Sequence, residues 1–121
     1  MPQQTAELDE VFRALADPTR RTVIRRLASG SASTSQLAEP FAMALPSFTQ
    51  HLSVLERAGL VSSTKTGRVR TYELVPAALD VADDWLTEQR RLWERRLGQL
   101  DEILTSLDRT TKAPTPKKLE Q

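Results

Sequence analysis

The sequence contains no cysteine, and this absence excludes several kinds of chemistry. Without cysteine the chain has no disulfide, no thiolate metal ligand and no cysteine nucleophile. His51 is its single histidine, so no site can combine two imidazoles. Because a glycine-rich phosphate loop is also missing, the sequence offers no pair of nucleophile and base. We therefore predict a protein that is not an enzyme and has no cofactor or metal.

Long apolar runs and aromatic residues are scarce as well. No stretch is apolar for the length that a membrane-spanning helix needs, and the polar N-terminal residues MPQQTAELDE lack the features of a secretory signal. We therefore expect a soluble, cytoplasmic protein with no membrane partner. Aromatic residues make up 5% of the 121 residues, so the core must be built mainly from Leu, Val, Ile and Ala. A chain of this length corresponds to one small domain, which often gains stability by oligomerising.

What the sequence does contain, in its first part, is helical spacing of apolar residues. This spacing predicts a first helix over residues 6–16 and a second helix that begins at Pro18, with Asp17 as its N-cap. Ser33 and Gln36 have the spacing of a capping box, which predicts that a short third helix begins there.

A fourth helix is predicted over residues 46–58, where Gly59 gives the stop signal. The apolar residues of its buried face are Phe48, Leu52 and Leu55. From Leu60 onward the spacing of apolar residues changes from helical to alternating. This alternation predicts a two-stranded β-hairpin that turns at Thr66-Gly67.

A long last helix is predicted over residues 76–108, with apolar residues that recur every seven positions. A domain of this size has little surface with which to cover such a helix, so we expect a homodimer in which it packs against its twin, together with residues 6–16. The predicted interface residues are Leu8, Phe12, Leu86, Trp93, Leu97, Leu100 and Leu104. The alternative is a ligand pocket lined by Trp85 and Trp93. Residues 1–108 then form one domain, and residues 109–121 are predicted to be a disordered tail.

The predicted order of elements defines a fold class. Four helices, a hairpin and a long helix form a mainly α (α+β) protein of the winged helix-turn-helix type, in which the hairpin is the wing. In this arrangement the second helix of the helix-turn-helix pair enters the major groove of DNA, and here that helix is residues 46–58.

The outward face of the predicted fourth helix carries hydroxyl and amide side chains but no carboxylate. Such groups donate to phosphates and base edges, although an ordinary solvated face is the alternative. The wing has the one local excess of positive charge in the first 75 residues, which favours contact with the DNA backbone. The alternative is that these charges only keep an edge strand soluble. His51 either packs locally or contacts DNA. The predicted DNA-binding residues are Ser47, Thr49, Gln50, His51, Ser53, Arg20, Lys65, Arg68 and Arg70.

Three stretches resemble the ArsR/SmtB family of bacterial winged-helix repressors: ALADPTRRTVIRRL from Ala14, SFTQHLSVLERAGLV from Ser47 and GRVRTYEL from Gly67. A fourth, RRLWERRLGQL from Arg90, is similar to a metal-independent branch of that family. The resemblance implies a homodimer that binds an inverted-repeat DNA operator and represses transcription. It matches Ser47, Thr49, Gln50 and His51 to the family's recognition helix, and Arg68 and Arg70 to its wing.

Two departures from the family pattern qualify this resemblance. Metal-sensing members place cysteines in the third helix, where this chain has TSQLA from Thr34, and histidine with carboxylates in the last helix, which here has no histidine. No metal is therefore expected, and the sequence does not identify a small-molecule effector. Ala44 stands where a serine commonly caps the recognition helix. The missing cap should cost the start of that helix about 1 kcal/mol of stability.

One alternative function stays open at this point. Some winged helices bind other proteins and not DNA. Such a module is expected to carry acidic or apolar residues on the outer face of the fourth helix.

Overall fold

The structure, a computed structural model, describes the backbone of residues 2–111 and the side chains of residues 6–108. Its elements in chain order are α1 (Pro2–Leu15), α2 (Pro18–Leu27), β1 (Ala32–Ser33), α3 (Thr34–Ala38), α4 (Leu45–Arg57), β2 (Val61–Thr66), β3 (Val69–Leu74) and α5 (Pro76–Thr111). The chain divides into two compact units, one up to Asp84 and one from Trp85 onward. The mainly helical winged helix-turn-helix fold predicted from the sequence is confirmed.

The N-termini of α2 and α3 are capped by side chains, as their sequences predict. The carboxylate of Asp17 accepts a hydrogen bond from the backbone N–H of Arg20 at 3.0 Å, and Pro18 is the first residue of α2. At α3 the Ser33 hydroxyl accepts from the Gln36 N–H at 3.2 Å, while the Gln36 amide oxygen accepts from the Ser33 N–H at 2.9 Å. Each bond satisfies a backbone group that the helix itself leaves unpaired.

The sheet has three strands, where the sequence predicted only the two of the hairpin. β1 pairs antiparallel with β3, and β3 with β2, in the order β1-β3-β2. β1 contains two residues, which is too short to show an alternating pattern. Thr66 pairs with Val69, so the hairpin loop is Gly67-Arg68, one residue later than predicted. Gly67 has φ +65°, a left-handed conformation that glycine adopts without steric cost.

The core of the first unit is formed by apolar side chains from the helices and the sheet. Phe48, Leu52 and Leu55 of α4 are 0% exposed, which confirms the predicted buried face of this helix. The Phe48 ring lies 5.3 Å from the Phe41 ring, centroid to centroid. The other buried apolar residues are Val11, Ala14, Val23, Leu27, Ala32, Leu37, Ala58, Leu60, Val61, Tyr72 and Ala82. Their packing fixes the rotation of α4 about its own axis, and therefore which side chains face outward.

Several predicted boundaries need correction. α1 begins at Pro2, before residue 6, and α4 begins at Leu45, one residue before Pro46. α5 continues to Thr111, so the disordered tail predicted from residue 109 is wrong for residues 109–111. The sequence has no helix breaker there, since the next proline is Pro114. The rest of the predicted tail, 112–121, lies outside the described residues. Within residues 2–111, no helix is both long and apolar enough to cross a membrane.

We predict that Leu52→Ala lowers the free energy of unfolding by about 2–5 kcal/mol, because it removes a fully buried side chain and leaves a cavity. Leu45→Ala is the matched control on the same helix, since Leu45 is 53% exposed and should cost less than about 0.5 kcal/mol. Urea denaturation at one fixed protein concentration measures both. Equal losses would show that α4 does not bury Leu52.

Candidate nucleic-acid interface

The outward face of α4 is polar. Ser47, Gln50 and Ser53 are exposed, in agreement with the helical arrangement expected from the sequence. Thr49 is half-buried, and its hydroxyl donates to the backbone oxygen of Pro46 at 3.0 Å. Because its hydrogen is used in that bond, the Thr49 oxygen is left to accept a hydrogen bond and its methyl to make apolar contacts. α4 therefore offers both donors and acceptors to a ligand on this side.

The first turn of α4 has no side-chain cap. Ala44 occupies the N-cap position and has no polar side chain, as its sequence position predicted. The backbone N–H groups of a helix start carry partial positive charge, and without a cap they remain available to an anion such as a phosphate. Pro46 lacks an N–H, so it leaves no unpaired donor in this turn.

The wing brings its basic side chains to one end of the hairpin. Lys65 and Arg70 are paired across β2 and β3, and Arg68 lies in the loop between the strands. All three are exposed. Like charges that lie directly opposite each other in a sheet destabilise it, and an anion placed between them relieves the repulsion. The hairpin tip therefore suits a phosphate group.

A chain of polar contacts, which the spacing of residues in the sequence did not indicate, links the wing to α4. Arg70 Nη1 donates to the Ser63 hydroxyl at 2.8 Å, and that hydroxyl donates to Glu56 Oε2 of α4 at 3.0 Å. Glu56 is the one acidic residue of α4, and this contact holds its carboxylate toward the sheet. Burial raises the pKa of the neighbouring Tyr72, and the charge of Glu56 raises it further, so Tyr72 stays neutral at physiological pH.

Arg20 and His51, both predicted as DNA contacts, meet inside the first unit. The Arg20 guanidinium donates through Nε to the backbone oxygen of Ala14 at 2.8 Å and through Nη2 to that of Arg13 at 3.2 Å. Its Nη1 lies 3.1 Å from His51 Nδ1. The structure thus uses Arg20 to join α1, α2 and α4, which sequence spacing alone did not indicate. His51 is half-buried, with 23% of its side chain exposed.

Asp17 completes this contact between helices. Its Oδ2 lies 3.7 Å from His51 Nδ1, and Arg20 Nη1, at 3.1 Å, is the nearer partner of that nitrogen. Burial raises the pKa of Asp17. The hydrogen bond from the Arg20 backbone N–H, together with the electrostatic effects of the nearby His51 and Arg20, outweighs burial, so the pKa lies below its ordinary value of 3.8.

The fold and this surface define a winged helix-turn-helix protein with a polar recognition helix and a basic wing. A helix-turn-helix domain model matches residues 15–64. The regulator Rv2034 of Mycobacterium tuberculosis is 36% identical over 98 residues, which cover 81% of this chain and 89% of the relative. The transcriptional repressor SdpR of Bacillus subtilis is 32% identical, over 65% of this chain and 88% of the relative.

Solved structures agree with these relatives. The crystal structure of the ArsR family transcriptional regulator RHA00566 superposes with a TM-score of 0.71, at 49% identity, and covers 73% of this chain and 97% of that one. The chain therefore belongs to the ArsR family of transcriptional regulators. It is a DNA-binding regulator. Its relatives are regulators and not enzymes, in agreement with the prediction drawn from the missing nucleophile and base. Among the side chains of residues 6–108, no cluster of three or more His, Asp or Glu could hold a metal ion.

We predict that Asp17→Ala lowers the free energy of unfolding by about 1 kcal/mol near neutral pH, through loss of the α2 cap. Because the folded pKa of Asp17 is lowered, its stabilising effect is present above 3.8 and is lost as pH falls through the folded value. The difference from the wild type should therefore shrink as the pH falls below 3.8. Asp17→Asn is the matched control, since asparagine caps without charge. Urea denaturation across pH tests this, and a difference independent of pH would contradict it.

Proposed function

We propose that the protein acts as a homodimer that binds an inverted-repeat operator and represses transcription. The observation that carries this proposal is the exposed, carboxylate-free face of α4 at Ser47, Gln50 and Ser53, next in sequence to a basic hairpin. The major groove is roughly 12 Å wide and admits one helix. A face of hydroxyl and amide groups is able to enter it without repulsion from phosphates.

The two parts of the surface have different tasks in this proposal. Gln50 is the side chain best suited to read a base, because its amide donates and accepts in the two-bond pattern that adenine offers. Ser47, Ser53 and Thr49 add contacts to base edges or phosphates. Lys65, Arg68 and Arg70 bind the phosphate backbone, which contributes affinity without sequence preference.

The dimer is proposed from the second unit. Along α5 beyond Asp84, apolar side chains recur at heptad spacing and are exposed in the single chain: Trp93 is 56% exposed, Leu100 51% and Leu104 52%. Leu86 and Leu97 lie on the same face and are each 46% exposed. Packing this face against a second copy removes it from water at about 25 cal/mol for each Å² of apolar surface. The contribution of Leu8 and Phe12 of α1 stays a prediction.

A dimer also explains how short recognition helices select one operator. One helix covers only a few base pairs. Two copies related by twofold symmetry place their recognition helices about 34 Å apart, one turn of DNA, and so read both halves of a palindrome. The protein-binding alternative is less well supported, since the outward face of α4 is formed by the polar, uncharged residues Ser47, Gln50 and Ser53. We also propose that this regulator is metal-independent, because α5 contains no histidine and α3 no cysteine.

We expect Gln50→Ala to lower the preference for the operator over a scrambled duplex by about 1–3 kcal/mol, because a base contact is lost. Arg68→Ala should weaken binding to both duplexes alike and reduce the slope of log affinity against log salt by about one. Gln99→Ala and Arg95→Ala are the controls, since both residues are exposed and lie outside α4 and the wing.

Fluorescence anisotropy with the DNA upstream of the protein's own gene, between about 50 and 200 mM salt, measures these effects. A wild-type dimer that shows no dependence on DNA sequence or on salt would overturn the proposal.

The dimer is tested separately. Leu100→Glu should shift the protein to a monomer, because it places a charge within the exposed apolar face of α5. Gln99→Glu adds the same charge beside that face and should stay dimeric. Sedimentation equilibrium gives the mass of each variant in solution. The proposed interface is refuted when the wild type is monomeric at micromolar concentration, or when both variants dissociate equally.

A further inference from the structure

The contact between Arg20 and His51 determines which ring nitrogen of His51 carries the proton. A guanidinium group stays protonated and offers only N–H donors. At 3.1 Å from Arg20 Nη1, the Nδ1 atom of His51 must therefore accept the hydrogen bond. A ring nitrogen that accepts a hydrogen bond carries no proton, so this contact places the ring proton of His51 on Nε2.

Arg20 is itself held firmly in this orientation. Its Nε and Nη2 donate to the backbone oxygens of Ala14 and Arg13, in the last turn of α1, where the helix dipole is negative. Its backbone N–H is bound by the Asp17 carboxylate at 3.0 Å. Two anchors on α1 and one at the start of α2 leave Nη1 as the donor that reaches α4. The guanidinium is thus oriented before any ligand arrives.

The position of His51 on α4 allows its second ring nitrogen, Nε2, to donate a hydrogen bond to DNA. His51 lies one helical turn after the exposed Ser47, on the helix proposed to enter the groove, and 23% of its side chain is exposed. With Nδ1 bound to Arg20, the Nε2–H remains as a donor. The acceptors that DNA offers to such a group are oxygens of phosphates and the O6, O4 and N7 atoms of bases.

We propose that Arg20 is a positioning residue for DNA recognition, which holds His51 in its Nε2–H tautomer so that α4 presents a hydrogen-bond donor to a DNA acceptor atom. The proposal rests on the function proposed above. Arg20 acts through His51 and does not itself touch DNA, which replaces its predicted role as a backbone contact with an indirect one.

The tautomer is measured directly, without DNA. Because His51 is the single histidine, the full-length 15N-labelled protein gives one pair of imidazole nitrogen signals. We expect an unprotonated Nδ1 and a protonated Nε2 in the wild type, and mixed tautomers in Arg20→Met. Arg21→Met is the matched control, since Arg21 donates to the Leu15 backbone oxygen at 2.8 Å. Arg20→Lys keeps a donor and should restore part of the tautomer preference.

Binding to DNA then separates positioning from mere folding. Arg20→Met should weaken operator binding about 5–10-fold, the loss expected for one hydrogen bond, while Arg21→Met leaves it unchanged. In an H51F background, Arg20→Met should have no further effect, because the donor it positions is already gone. Loss on the operator alone identifies a base acceptor, and equal loss on a scrambled duplex identifies a phosphate.

Two results would overturn the inference. One is a wild-type ring with its proton on Nδ1. The other is an equal loss of affinity from Arg20→Met in the wild-type and H51F backgrounds, which a purely structural role of Arg20 produces. A wild-type protein that has the expected tautomer but binds no DNA would refute the proposed function instead, so the two failures are distinguishable.

Discussion

Burial of one face of α4 is the constraint on which the rest of the structure depends. Phe48, Leu52 and Leu55 are completely excluded from water. Burying a side chain of this size contributes about 1.5–3 kcal/mol, so a rotation of α4 that exposed the three would be strongly unfavourable. The same burial decides which side chains remain outside. The DNA-facing surface is therefore set by the core, and the polar residues there need no structural role.

Polar contacts refine the orientation of α4 that burial of its apolar face sets. On one side of α4, Arg20 connects His51 to the end of α1, and on the other side Ser63 connects Glu56 to Arg70 of the wing. These contacts bind the recognition helix to the elements before and after it in the chain. A single hydrogen bond contributes only about 1 kcal/mol, so their main effect is on orientation and less on total stability.

The sequence predicted the parts that depend on local rules. The Asp17 cap, the Ser33 capping box and the buried face of α4 follow from short-range spacing, and all are present. β1 was missed because two residues show no periodicity and its pairing with β3 is a long-range contact.

Long-range polar contacts within the candidate site were missed for the same physical reason. Arg20 and His51 are separated by 31 residues in sequence, and nothing in the spacing of charges identifies them as partners. Ser63 and Glu56 belong to the surface that orients Arg70, yet neither stood out as a functional residue. The predicted exposed positions of α4 agree with the structure because they needed only the helical period.

The opposed Lys65 and Arg70 of the hairpin make the free wing sensitive to its ionic surroundings. Dissolved salt screens their mutual repulsion over roughly 10 Å at 0.1 M, which relaxes the unbound hairpin. The same salt competes with phosphates for these side chains. Higher ionic strength therefore weakens the binding of the wing to DNA in two ways. It stabilises the free hairpin, and it occupies the side chains that would otherwise bind phosphates.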